Sequence, residues 1–482
     1  MKQTMIPEER KKTHMKKLLA LLLTLCMAGG AMPVLAAEEE VQPIPAWAYG
    51  VLADGYAMGL FGDELYTQHS QTITKEQLTS LTQVVGDKLA LLEMDQRGAD
   101  DTALVIDTTR GGVVNALYQE AAAYAFPGVE EGAEAFMTSV GALAGDGSGL
   151  SLERPCTLME AVTMADSLVL NLYDQQNAGS LGLLWKAEGN GNTLYLLGSI
   201  HTDRNNVYPF HKQLRDIVLN AEQVSFELDF NDEAGLAEFA AMQVYSDGTT
   251  LADHISPELY QVVVHAASMM GLDEATVSQY KAWALASSFQ SLAMLDDTSG
   301  SNAMAIDLYV NSKAANAGID IDAVETYAFQ GGIFDTLSPE YQEAYLASGL
   351  LMILDPETMD ENTRSALTAV LGEEALTEDG QEAMQEEMGQ IGLWMDQWKS
   401  RDVEGFAKAY PKDEIINGAD ELEGKLFTDR DPGMIAYAAD YLEQEGSHTG
   451  LLVVGAGHMI GSSGIVQGLK DLGYTVEVVP NP

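Results

Sequence analysis

The chain has 482 residues and carries 73 Asp+Glu against 25 Lys+Arg, so its formal net charge is −48. This acidic balance excludes nucleic-acid binding through a basic phosphate-contacting surface, and it argues equally against adhesion to an anionic membrane. A hydrophobic content of 46 % argues against wholesale disorder. The length predicts roughly two or three folded units. Two cysteines cannot build a disulfide-rich scaffold or a four-thiolate metal site.

Residues 1–36 have the pattern of a secretory signal peptide. Lys16 and Lys17 precede the apolar run LLALLLTLCM, and small residues follow up to Ala36. The apolar run is shorter than the roughly 20 residues that a membrane-spanning helix needs. An N-terminal membrane anchor is the alternative interpretation. We therefore expect a secreted, extracytoplasmic protein whose mature chain has no transmembrane span.

Residues 37–177 contain a weak internal repeat, in which a turn-rich stretch is followed by a Thr and an apolar helical run. The positions of Thr74, Thr109 and Thr157 predict helix N-caps. The region resembles degenerate S-layer homology repeats, helical modules that attach secreted proteins to cell-wall polymers. That resemblance implies a Thr followed by a cation, and the chain has Lys75, Arg110 and then Leu158 at these positions. A helical spacer that binds no polymer is the alternative.

From residue 178 to 482, short apolar strands alternate with long stretches of helical composition. This order predicts an α/β (α+β) domain with a central, mostly parallel sheet flanked by many helices, beside the smaller helical N-terminal region. The predicted strands cover residues 194–197, 224–228, 319–324, 451–454 and 475–479, and the main helical stretches cover 234–245, 257–295 and 336–410.

Two motifs of the form Gly-x-x-His follow predicted strands, namely GSIH at 198–201 and GAGH at 455–458. Glycine allows a sharp turn, and ligands of open α/β sheets usually bind where the strands end. His201 and His458, with a carboxylate, could hold a divalent metal ion there. Glu227, at the end of another strand, is the natural third ligand or general base, and Asp203 is a reserve ligand. The spacing alone leaves a structural role for the histidines open.

Five stretches between about residues 180 and 480 carry a family pattern: WKAEGNGNTLYLLGSIHTD, SFELD, DAVETYAFQ, DRDPGM and LLVVGAGHMIGSSGIVQGLKDLGYTVEVV. In this order they resemble the TraB/GumN family, which is related to the Tiki metalloproteases. The resemblance implies a metal centre formed by His201, His458 and Glu227. It also implies a divalent transition metal, such as Mn, Co or Zn, and a peptide or protein substrate.

The same resemblance assigns Glu325 and Gln330 to an acidic-plus-Gln motif, and Arg430 to an Arg before the last helix. Where the family usually has Asn after this Arg, the chain has Asp431. The implied catalytic residues are Glu227, which takes a proton from water, and Arg430 and Glu325, with Arg430 stabilising an oxyanion or holding a substrate carboxylate. A structural ion pair between Arg430 and Glu325 is the alternative.

Two other functions remain open at this stage. The first is a non-catalytic haem- or metal-binding protein, as in the related ChaN-like proteins. The second is a cell-wall-associated interaction protein that binds a wall polymer.

Overall fold

A computed structural model describes residues 43–45, 48–97, 106–145, 147, 149–200, 207–295, 304–356, 358–418 and 420–482. Within these residues, a helical N-terminal region precedes a larger region built on one six-stranded sheet. The predicted signal peptide lies outside the described residues.

Three helices of the N-terminal region begin at the predicted caps. Its α-helices are α1 (Tyr49–Ala57), α2 (Glu64–Gln68), α3 (Lys75–Ala90), α4 (Arg110–Ala122), α5 (Ala133–Ser139) and α6 (Leu158–Gln175), with a 3₁₀ turn at Val129–Glu131. Three Thr hydroxyls each accept a hydrogen bond from the backbone N–H three residues on: Thr74 from Gln77, Thr109 from Gly112 and Thr157 from Glu160. The three predicted N-caps are confirmed.

Arg110 is directed into the N-terminal region. Its guanidinium donates to the backbone oxygens of Leu150 at 3.1 Å and Ala144 at 2.9 Å, and it lies 3.5 Å from the Glu160 carboxylate. A cation with these internal partners is not presented to a polymer. The geometry of Arg110 therefore favours the helical spacer over the polymer-binding repeat.

The sheet has the order β4-β3-β5-β2-β1-β6. Strands β4, β3, β5 and β2 run parallel to one another, and β1 pairs antiparallel with both β2 and β6. The mostly parallel sheet that the sequence predicts is thus confirmed. The strands are β1 (Leu183–Gly189), β2 (Asn192–Ser199), β3 (Gln223–Phe226), β4 (Asp320–Ala323), β5 (Thr449–Gly455) and β6 (Thr475–Val478).

Burial explains why some strands were easier to predict than others. The central strand β5 is buried along nearly its whole length and reads as an unbroken apolar run. The sequence did not predict β1, because Lys186 and Glu188, which pair with each other, interrupt its apolar pattern.

A two-residue turn joins β1 to β2, and its residues Asn190 and Gly191 have φ of 50° and 90°. Left-handed Asn-Gly is the combination that a type I′ hairpin turn requires.

The predicted helical stretches of the larger region are helical but divided. Residues 257–295 form three helices rather than one, and Gly271, with a φ of 79°, follows the first of them. The helices are α7 (Lys212–Asn220), α8 (Glu233–Met242), α9 (Pro257–Met269), α10 (Glu274–Val277), α11 (Ala282–Leu295), α12 (Ile306–Ala317), α13 (Tyr327–Asp335), α14 (Pro339–Ile353), α15 (Glu361–Leu371), α16 (Glu378–Ser400), α17 (Val403–Ala409), α18 (Lys412–Ile416), α19 (Glu421–Thr428), α20 (Asp431–Leu442), α21 (Ala456–Met459) and α22 (Ile465–Asp471), with 3₁₀ turns at Leu251–Asp253 and Glu373–Leu376.

Helix α12 joins the two regions. The hydroxyl of Tyr309 and the ammonium of Lys313 each donate to one oxygen of Asp54 on α1, both at 2.5 Å. One turn further, the Asn316 amide donates to the backbone oxygen of Tyr49 at 3.2 Å.

In the part of the chain that the structure describes, no helix combines the length and the apolar character needed to cross a membrane.

Candidate metal centre at the strand ends

Four of the predicted site residues lie together at the edge where the parallel strands end. Glu227 follows β3 directly, and Glu325 follows β4 at the same level, because its backbone N–H donates to the Glu227 carbonyl at 2.9 Å. His458 lies on α21, which begins immediately after β5, and Arg430 directly precedes α20. This edge is where open α/β sheets usually bind ligands.

Both carboxylate oxygens of Glu227 are held by the protein. Oε1 accepts the backbone N–H of Gly455 at 2.7 Å, and Oε2 accepts from Nη2 of Arg430 at 2.6 Å. The residue is only 7 % exposed. Glu227 is therefore a buried carboxylate with a fixed orientation against the end of β5.

Arg430 forms the ion pair with Glu325 that was the structural alternative. Its Nε lies 3.0 Å from each Glu325 oxygen, and its Nη2 lies 2.8 Å from Oε2. Burial opposes the guanidinium charge, but Glu227 and Glu325 outweigh it and raise the pKa of Arg430 above its ordinary value. Gln330 donates to Glu325 at 2.9 Å and approaches Glu227 at 3.4 Å. Arg430 thus contacts both carboxylates at once.

His458 is fully buried and presents its two ring nitrogens to two different carboxylates. Nδ1 lies 2.8 Å from Oδ1 of Asp431, whereas Nε2 lies 3.8 Å from Oε1 of Glu227, beyond hydrogen-bond distance. Among the described residues Nε2 has no hydrogen-bond partner. Burial and the nearby Arg430 guanidinium lower the pKa of His458, which keeps the imidazole neutral at neutral pH.

Gly198 of GSIH and Gly457, the second glycine of GAGH, allow close packing rather than the sharp turn that we expected after the strands. Neither Gly198 nor Gly455, the first residues of the two motifs, has a positive φ. A Cβ on Gly198 would lie 3.0 Å from the Cα of Ala456, and one on Gly457 would lie 3.0 Å from the Phe427 ring. The glycines therefore bring β2 and α19 against the short helix that carries His458.

His201 and Asp203 lie outside the described residues. Within the residues that are described, no group of three or more His, Cys, Asp or Glu side chains is arranged to hold a metal ion. The set of His201, His458 and Glu227 therefore stays a prediction, of which the structure describes two members.

A small cavity beside Glu227 is lined in part by residues that the sequence did not single out as site residues. Among them are Ser199, at the end of β2, and Asp307, which is 3 % exposed in the first turn of α12. Lys412, which contacts Asp431, was also missed. The sequence offered one indication of Lys412. Basic residues are scarce in this chain, so the few that exist are candidates for pairing with buried acids. The full lining is Ser199, Phe226, Glu227, Leu228, Phe230, Asp307, Gln330 and Val453.

The described residues fit a divalent cation in donor type and in charge. The Nε2 atom of His458 is a buried nitrogen without a hydrogen-bond partner in the described part of the chain, and it faces a carboxylate. Imidazole and carboxylate together suit Mn, Co or Zn. The carboxylates of Glu227, Glu325 and Asp431 outnumber the cations Arg430 and Lys412 by one. A positive ion would offset this excess.

Comparison with known proteins gives one match. No curated protein and no solved structure matches the chain. A family profile described as the TraB/PrgY/gumN family matches residues 183–478, which is more than half of the chain and spans all six strands of the described sheet. The chain belongs to the TraB/PrgY/gumN family.

Proposed function

We propose that this protein is a metal-dependent hydrolase that cleaves peptide bonds at the strand-end site. One observation carries the proposal: Nε2 of the buried His458 has no hydrogen-bond partner among the described residues and faces the carboxylate of Glu227. Buried polar atoms are nearly always satisfied, so an unpaired ring nitrogen in this position indicates a ligand. Family membership supports the same reading, since the family pattern is what assigns His201 to the centre.

Each residue of the site has a distinct role in the proposed reaction. His458 and Glu227, with His201 from the sequence, would hold the ion, and His458 is already neutral as metal binding requires. When bound, a divalent ion acidifies a coordinated water and polarises a substrate carbonyl. Arg430 orients the Glu227 carboxylate, so that Glu227 can bind the ion or accept a proton from water.

Metal binding by the purified full chain tests the centre. We expect about one divalent ion per chain, and we expect the substitution His458→Ala to abolish its binding. The matched control is His448→Ala, because His448 is partly exposed and pairs with Glu222 at the start of β5, away from the strand ends. Equal metal content in both variants would overturn the metal centre.

Cleavage tests the catalytic part separately. We expect Glu227→Gln to lower peptide cleavage by roughly 10²- to 10⁴-fold while the circular dichroism spectrum is unchanged. A wild-type chain that binds metal but cleaves no peptide would assign the non-catalytic binding role instead. A Soret band on titration with haem would favour the haem-binding alternative.

Export belongs to the same proposal, and the signal-peptide pattern of residues 1–36 supports it. For the N-terminal region we propose a helical spacer rather than a polymer-binding module, because Arg110 is directed inward. The full chain without residues 1–36 should then stay in solution when purified cell walls are pelleted. Co-sedimentation that is lost in Lys75→Ala would instead establish wall binding through the exposed Lys75.

A further inference from the structure

Lys412, Asp431 and His458 form a buried chain of contacts behind the candidate metal centre. The Lys412 ammonium lies 2.7 Å from Oδ2 of Asp431, and Oδ1 of the same carboxylate lies 2.8 Å from Nδ1 of His458. The three side chains are 0 %, 1 % and 0 % exposed. The Ser463 hydroxyl also donates to Oδ2, at 3.1 Å. Both contacts of Oδ2 are therefore with donors, and the contact of Oδ1 with Nδ1 depends on the tautomer of the imidazole.

We infer that Lys412 and Asp431 are a positioning pair that keeps the proton of His458 on Nδ1 and directs the Nε2 lone pair toward Glu227. An ionised carboxylate has no proton to donate, so the hydrogen between Asp431 and the imidazole belongs to Nδ1. Neutral imidazole carries one such proton, which leaves Nε2 as a lone pair. A carboxylate that orients a metal-binding histidine in this way also raises the basicity of the ligand.

Lys412 supplies a buried positive charge in direct contact with the Asp431 carboxylate. A buried carboxylate without a cation would take up a proton instead. A proton on Oδ1 of Asp431 could be donated to Nδ1, which would move the imidazole proton to Nε2 and block the ligand position. Asp431 also lies in the first turn of α20, where the helix dipole favours a negative charge.

Packing around Lys412 keeps the chain of contacts rigid. The ammonium lies 4.7 Å from the centre of the Phe427 ring, and that ring lies 5.3 Å from the His458 ring. A cation over an aromatic face is attracted to it, so Lys412 is held from two sides. Phe427 thus contacts both ends of the chain and limits rotation of the imidazole.

The test measures the tautomer of His458 directly in the metal-free full chain. Long-range ¹H–¹⁵N spectra of protein labelled at its 8 histidines distinguish a protonated from an unprotonated ring nitrogen, and His458→Ala identifies the signal. We expect protonated Nδ1 and unprotonated Nε2 in the wild type. We expect Lys412→Met and Asp431→Asn to shift the proton toward Nε2. Lys412→Arg keeps the charge and should keep the tautomer, which covers the case that Lys412→Met does not fold.

Cobalt affinity, measured by competition with a chelator, gives the second readout. We expect Lys412→Met and Asp431→Asn to weaken Co²⁺ binding by about 10- to 100-fold. The control is Lys281→Met, which removes another lysine–aspartate pair, a partly buried one with Asp335 at 2.7 Å, and should change neither readout. Wild-type His458 with its proton on Nε2, or an unchanged tautomer in both site variants, would overturn the inference.

The effect on metal affinity rests on the proposed function, whereas the tautomer does not. A wild-type chain with the expected tautomer that binds no Co²⁺ would therefore contradict the metal centre and still support the positioning pair. A chain that binds Co²⁺ while His458 carries its proton on Nε2 in the metal-free state would contradict the positioning pair alone.

Discussion

At the scale of single residues, the site consists of buried charges that compensate one another. Arg430 is 1 % exposed and contacts two carboxylates, so the guanidinium is the shared counter-ion of Glu227 and Glu325. Replacing a buried ion pair by apolar groups can be neutral, whereas removing one partner leaves an uncompensated charge. The local stability of the strand ends therefore depends on Arg430 more than on either acid alone.

We predict that Arg430→Met destabilises the protein by about 3–5 kcal/mol at pH 7, because two buried carboxylates lose their cation. The urea dependence of tryptophan fluorescence measures this change. The control is Arg97→Met, an exposed position that should change stability by less than about 0.5 kcal/mol. Equal stabilities of the two variants would show that Glu227 and Glu325 do not depend on Arg430.

At the scale of elements, the position of His458 depends on how closely β2 approaches α21. Helix α21 is a single turn, so its own hydrogen bonds cannot hold it in place. The contact between Gly198 and Ala456 instead packs it against the sheet, and the Trp398 indole donates to the Gly198 carbonyl at 2.6 Å. The glycine of the first motif thus positions the histidine of the second.

We predict that Gly198→Ala lowers stability by about 1–3 kcal/mol, because the new methyl group would lie 3.1 Å from the Cβ of Ala456 and 3.0 Å from its Cα. Metal affinity should also fall, because the added methyl group must displace α21, which carries His458. Gly424→Ala in α19 is the matched control: its Cβ would meet nothing within 4 Å, and alanine should stabilise the helix by about 0.5–1 kcal/mol. Thermal unfolding of both variants checks the prediction.

Elements were predictable from the sequence where local chemistry determines them. Thr74 and Thr157 cap helices through contacts within four residues, and β5 is apolar because it is central. The site was predictable only as far as motifs reach, which gave His458, Glu227, Glu325 and Arg430. Lys412 could not be found in this way, because its partner Asp431 lies on another helix and only the tertiary fold brings the two side chains together.

At the scale of the whole molecule, several of the few cations lie inside the protein. Five Lys and Arg residues of the described chain are buried, namely Lys88, Arg110, Arg401, Lys412 and Arg430. Seven Asp and Glu residues of the same part of the chain are buried as well, so the surface keeps nearly all of the net charge of −48. Self-repulsion of such a surface favours a dispersed protein. The internal cations, by contrast, connect elements that are far apart in sequence.

The junction of the two regions contains two buried acids in opposite situations. Asp54 is paired with Lys313 and Tyr309 of α12 across the junction. Asp166 on α6 is 4 % exposed, and its Oδ1 has no hydrogen-bond partner among the described residues. Burial raises the pKa of Asp166 well above its ordinary value of 3.8, and the neighbouring Asp54 raises it further. Asp54 thus stabilises the junction, whereas ionisation of Asp166 opposes it.

We predict opposite effects for substitution of these two acids. Asp54→Ala should destabilise the full chain by about 3 kcal/mol, because Lys313 loses its counter-ion, and amide exchange in α12 should accelerate. Asp166→Asn should stabilise it at pH 7. A carboxyl whose pKa is higher in the folded state than in the unfolded state destabilises the protein as the pH rises above the unfolded pKa. The stability gained by Asp166→Asn should therefore shrink as the pH falls toward 4. Asp307 of the same α12 lines the cavity beside Glu227. Amide hydrogen exchange in the first turn of α12, measured in Asp54→Ala, would therefore report whether the junction also stabilises the site. Loss of stability in both variants would refute the opposition between Asp54 and Asp166.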